Sequence, residues 1–183
     1  MEEKSTFWKS AMIYGLYIGI VLTLYSVIFY VTGLYLNEKL GYVVLLVYIA
    51  CIVFTQIHYR NRELNGFISY GQAVGFAVAA MLFGGIIHGL YSIIISNIDP
   101  GMIEQIKTIQ EDAMLQKGMS EDQIEAAMSI MSKMMTPGWM SMIVLLSAVF
   151  YGTIVSLISS IFIKRQAGDD AFEEAMEEVK TEE

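Results

Sequence analysis

The sequence predicts an all-α integral membrane protein: a four-helix bundle of transmembrane spans with an extramembrane helical hairpin between the third and fourth. Three observations carry that reading. Four long runs, Ser10–Asn37, Leu40–Ile57, Phe67–Ile98 and Thr136–Ile163, contain no Asp, Glu, Lys or Arg. Charged residues make up 16% of the 183-residue chain, against about 25% in an ordinary soluble domain. Three of the four runs carry small residues at four-residue spacing, which is how helices approach one another in lipid.

A helix needs about 20 mostly apolar residues to cross roughly 30 Å of hydrocarbon. The first span is expected at about 10–36. It follows Lys4 and Lys9 but is too long for the core of a cleavable signal, and no A-x-A-type site closes it. The second, about 40–59, reaches spanning length by taking in His58 and Tyr59. The third is expected at about 70–97. Ser69-Tyr70-Gly71-Gln72 fits a capping box at its start, in which the serine accepts from an orphan amide while Gln72 reaches back. Asp99-Pro100 fits an N-cap with proline at the first position of a following helix. The fourth span is expected at about 138–163. All four runs are apolar on every side, whereas barrel strands alternate.

The outer hairpin is expected at about 99–135. Ile103, Ile106, Ile109 and Ala113 recur at helical spacing, and Gly118 can end that arm. Ser120 to Gln123 is a second capping box, opening an arm with Ile124, Ala127, Met128, Met131 and Met135 on one face. Nine of the 13 methionines lie between Met102 and Met142. Thioethers outside the cytoplasm can bind Cu(I), but the spacing is that of adaptable packing against a partner helix or the bilayer surface, and no metal site is assigned. Residues 166–183 form an acidic tail. There Phe172, Ala175, Met176 and Val179 have helical spacing, yet a frayed end is the expected state.

Helix packing is assigned to small-residue seams: Gly15 and Gly19 in the first span, Gly71 and Gly75 in the third, and Ala148, Gly152 and Ser156 in the fourth. A second stripe on the third span runs Ala80, Gly84, His88, Ser92, Ser96. These seams serve equally well within one chain or between two copies. Tyrosines near the run ends form the expected interfacial belt.

His88 is the candidate intramembrane polar site, because an ionisable group inside a span is a functional hypothesis by default. A proton relay needs a second ionisable partner at similar depth, and no run contains an acid, Lys or Arg. A neutral imidazole bonded to a hydroxyl of a neighbouring helix is the favoured reading. Cys51, the single cysteine, reads as a small hydrophobe. No zinc-protease, nucleophile-elbow or phosphate-loop motif is present, so no catalytic residue and no cofactor is assigned. The formal net charge of −8 argues against nucleic acid, which needs a basic face.

Lys4, Lys9, Arg60, Arg62, Lys164 and Arg165 lie near span ends on one side, while Lys39, Lys107, Lys117 and Lys133 lie on the other. By the positive-inside rule both termini are cytoplasmic, although Lys39 dissents.

Gly66-Phe67-Ile68-Ser69-Tyr70-Gly71-Gln72-Ala73, then Asn97-Ile98-Asp99-Pro100, then the acidic stretch 118–125 follow in an order that resembles the bacterial membrane proteins of the domain of unknown function 4199 family. The resemblance covers nearly the whole chain and implies about four spans with a long loop between the last two. It implies no reaction, substrate or cofactor. The expected function is therefore a non-enzymatic accessory, scaffold or self-associating component of the bacterial inner membrane, partnered by lipid and by a second copy or another membrane protein. The alternative is a small permease or ion-handling protein using His88.

Overall fold

The computed structural model describes residues 2–37, 40 and 42–165. The acidic tail and Lys39 lie outside the described residues. Among those described, the elements are α1 (Glu2–Val31), a short 3-10 turn (Leu34–Leu36), α2 (Val43–Glu63), α3 (Tyr70–Ile98), α4 (Pro100–Gln116), α5 (Glu121–Met134) and α6 (Pro137–Ile163). The chain is all-α. Four of the helices, α1, α2, α3 and α6, are long and apolar enough to cross a membrane.

Local chemistry sets the helix ends. Gly33 (φ 69°) takes the left-handed conformation that breaks α1 before the 3-10 turn. At the start of α3, Gln72 N–H donates to Ser69 Oγ at 3.3 Å, and Ser69 N–H donates to Gln72 Oε1 at 3.1 Å. Asp99 Oδ1 accepts from Met102 N–H at 3.2 Å and starts α4. Gly118 (φ 76°) turns the chain towards α5, where Ser120 N–H donates to Gln123 Oε1 at 3.0 Å. Pro137 opens α6 after Thr136.

The centre of the bundle is α3. It runs parallel to α1, with Gly15 against Phe83 and Gly19 against Ile87. It runs antiparallel to α6, with Met81 against Gly152 and Gly89 against Ser141. Helix α2 lies beside α3 and α6 and touches α1 mainly at one end, where the rings of Tyr14 and His58 stand 6.4 Å apart. That end is closed by Tyr59 stacked on Phe76, with centroids 3.6 Å apart. Arg60 Nη1 also donates to Ile163 O at 3.0 Å, satisfying a carbonyl at the end of α6. Just beyond, Ile68 and Arg165 exchange two backbone bonds of 2.8 and 3.0 Å.

The core is narrow. Phe76, Ile18, Leu22, Ile52 and Met81 are fully buried, while Phe162 (81% exposed) and Val31 (75%) mark apolar faces turned outward. Large apolar side chains on the outside of long helices are stable where the surrounding solvent is hydrocarbon. This is a membrane protein.

Helix boundaries differ from the sequence expectation at both ends of the first two spans. The first helix was expected at about 10–36 and runs Glu2–Val31. The second was expected at about 40–59 and runs Val43–Glu63. A charged residue ends an apolar run without ending a helix, because Lys and Arg can carry the helix on past the hydrocarbon.

Candidate functional site: a histidine cleft beside the central helix

Between α1 and α3 the backbones are in near contact. A side-chain carbon on Gly15 would come within 2.5 Å of Phe83 Cβ and 2.8 Å of Ala80 O. One on Gly19 would come within 2.6 Å of Ile87 Cβ, and one on Gly84 within 2.7 Å of Ile18 Cγ2. Only glycine fits at these three positions.

Beyond Gly19 larger side chains take over and the seam opens into a cleft of about 280 Å³. Its walls come from α1 (Tyr25, Ser26, Phe29, Tyr30), the 3-10 turn (Tyr35), α3 (His88, Tyr91, Ser92, Ile95), α4 (Met102, Ile106) and α6 (Val144). The ring pairs are ordered: Tyr25 and Phe29 lie 4.2 Å apart, Tyr30 and Tyr35 stack at 6.0 Å, and His88 and Tyr91 stack at 6.2 Å.

His88 Nε2 lies 2.8 Å from Ser26 Oγ. Its other ring nitrogen, Nδ1, is buried without a hydrogen-bond partner among the described residues, as is Thr23 Oγ1 one turn from Ser26. Two further bonds close the outer rim. Tyr30 O–H donates to Asp99 Oδ2 at 2.9 Å, and Tyr35 O–H donates to Gln105 Oε1 at 2.9 Å. They tie the end of α1 and the 3-10 turn to the α3–α4 corner. The arrangement offers aromatic faces, serine and tyrosine hydroxyls and a ring nitrogen with spare capacity, which is a binding chemistry.

The other sequence-assigned residues fall in three places. Gly15, Gly19 and Gly84 form the α1–α3 seam. Ala148 and Gly152 meet α3, at Gly85 and Met81 respectively, and Ser156 is fully buried with its hydroxyl donating to Thr153 O at 2.9 Å. Gly71 and Gly75 lie on an exposed face of α3, where an added carbon would meet nothing within 4 Å.

Three residues with close interhelical roles were not anticipated. Gly85 and Gly89 make the tight α3–α6 approach, and their four-residue spacing was the signal for it. Gln56 is fully buried on α2. Its Nε2 donates to Ala73 O at 3.1 Å and to Ser160 Oγ at 2.8 Å, and its Oε1 accepts from Ser159 Oγ at 2.6 Å. One amide thereby joins α2, α3 and α6.

A family model described as a protein of unknown function (DUF4199) matches residues 13–165. The chain belongs to this family. The matched stretch of this DUF4199 member holds nearly all of the four long helices, both glycine seams and the whole lining of the histidine cleft. No curated protein and no solved structure matches the chain.

Proposed function

We propose that this DUF4199 protein is a non-enzymatic component of the cell membrane that works by associating, through its helices, with a second copy or a partner subunit. The observation that carries the reading is the open glycine face at the start of α3. Gly71 and Gly75 are exposed with free space around them, while Gly15, Gly19, Gly84, Gly85, Gly89 and Gly152 are each pressed against a neighbour. In hydrocarbon the hydrophobic effect gives helices little reason to meet, so a flat small-residue face is where close packing is gained.

The placement of charge supports a bacterial inner-membrane orientation with both termini cytoplasmic. Lys9, Arg60, Arg62, Lys164 and Arg165 gather at the end closed by Tyr59 and Phe76, and short basic flanks favour the cytoplasm. Reporter tags at the two termini on opposite faces of the membrane would break this orientation.

Association is tested with Gly75→Cys in a Cys51→Ala background, oxidised in native membranes. The expected result is a crosslinked dimer or a single heterologous adduct, with Gly75→Leu lowering the assembled fraction by about tenfold. A monodisperse monomer without crosslinks would remove the proposal.

A second reading, a small permease or ion-handling protein, draws on the buried and unpaired Nδ1 of His88. Under that reading His88→Ala abolishes flux in vesicles while the folded bundle is retained. Under the first reading association is unchanged by the same substitution.

A further inference from the structure

We propose that the cleft beside His88 binds a small organic cation, an ammonium group carried either on a free amine or on a lipid headgroup. Half of the twelve lining side chains are rings: Tyr25, Phe29, Tyr30, Tyr35, His88 and Tyr91. Aromatic faces are electron-rich, and several of them around one space attract an alkylammonium ion more strongly as water is excluded. Among the described lining residues there is no Lys or Arg.

Three further observations point to the same ligand chemistry. Tyr30, a wall of the cleft, gives its hydroxyl proton to Asp99. A bond to a carboxylate pushes electron density back into the phenol ring, which strengthens its face as a cation acceptor. Helix α4, which lines the cleft through Met102 and Ile106, holds with its cap Asp99 four acidic residues and one lysine, and Lys107 is already paired with Glu104 at 2.7 Å. An acidic excess on that helix favours cations over anions nearby.

The third concerns the unmet polar atoms. Among the described residues, His88 Nδ1 and Thr23 Oγ1 are buried without partners on the seam that feeds the cleft. In the tautomer whose Nε2 proton goes to Ser26, Nδ1 is a lone-pair acceptor, suited to an N–H or O–H carried by the cation. Size sets the other limit. A space of about 280 Å³ lies at the small end of ligand pockets, so it suits a short amine or a single headgroup and not a drug-sized cation. This site is separate from the association face at Gly71 and Gly75 and stands whether or not that face is used.

The test uses the full chain in phosphatidylglycerol nanodiscs, with choline as the probe. Its control is the uncharged analogue in which a tert-butyl group replaces trimethylammonium. Saturation-transfer NMR and calorimetry are expected to give choline an affinity about tenfold above the analogue, and Tyr91→Leu or Tyr35→Leu is expected to lower choline binding by about tenfold. Thermal unfolding identifies any variant that fails to fold, and the other variant then carries the test. Repeating the titration in phosphatidylethanolamine nanodiscs separates the sources. Unchanged choline binding indicates a free amine, and competition by the bilayer indicates a headgroup occupant. Equal binding of choline and its neutral analogue, no binding of either, or indifference to both ring substitutions overturns the proposal.

Discussion

Gln56 and His88 are both polar side chains set among apolar spans, and the bundle treats them in opposite ways. The Gln56 amide is fully buried and makes three hydrogen bonds, reaching two other helices. Among the described residues His88 has one side-chain hydrogen-bond partner, Ser26, leaves a ring nitrogen unmet, and lines an open cleft. In hydrocarbon an unsatisfied polar group is costly, so a saturated one reads as a fastening. An unsaturated one at the edge of a cavity reads as a place kept for something else. The lesson is that satisfaction of hydrogen-bonding capacity, more than the presence of a polar residue, distinguishes a structural site from a binding site in a span.

Substitutions separate the two kinds of polar side chain. The largest effect is expected from Gly84→Leu, which forces α1 off α3 and should cost more than about 3 kcal/mol. It should disrupt the His88–Ser26 pair and leave the Gln56 cluster in place, as read by histidine NMR and by reversible unfolding in mixed micelles. Gln56→Ala should cost about 2–3 kcal/mol, since it leaves a cavity and deprives Ser159 and Ser160 of their partner; the loss should loosen α2 selectively, visible as faster amide exchange in that helix. Ser159→Ala removes one bond of the three and should cost about 1 kcal/mol in the same unfolding assay. His88→Leu is expected to change stability by less than about 0.5 kcal/mol, because one lost bond is offset by removal of an unmet buried nitrogen. A large loss in this last case would make His88 a fastening like Gln56 and erase the distinction.

Much of this architecture is legible in the linear pattern. Helix ends written in cap residues, such as Ser69 with Gln72 and Asp99 before Pro100, can be read because the chemistry involves neighbours three residues apart. The α1–α3 seam at Gly15, Gly19 and Gly84 is also foreshadowed, since backbone approach requires glycine there. Spacing alone does not say which of two stripes on one helix faces inward. On α3 the stripe through Gly85 and Gly89 packs against α6, and the one through Gly71 and Gly75 is left open. Gln56 is silent in sequence for a related reason: a lone amide has no period, and its partner hydroxyls lie 103 and 104 residues away. The aromatic cleft is equally hidden. Tyr35 and Tyr91 look like members of an ordinary interfacial belt until the parallel arrangement of α1 and α3 brings them, with Tyr25 and Tyr30, around the same cleft as His88.

The fastening of α2 also bears on how the chain enters the bilayer. Chains emerge from the ribosome N-terminus first, so α2 is delivered while its amide partners on α6 have still to be made. Its neighbour in sequence, α1, touches it mainly at one end, and Ala73 on α3 offers a single carbonyl. Until Ser159 and Ser160 arrive, the second span carries an exposed amide and is the weakest-held member of the nascent assembly. A chain stalled before Thr136 should therefore be the form that quality-control proteases remove fastest, and delivery of the last helix is the step that commits the molecule to its final state.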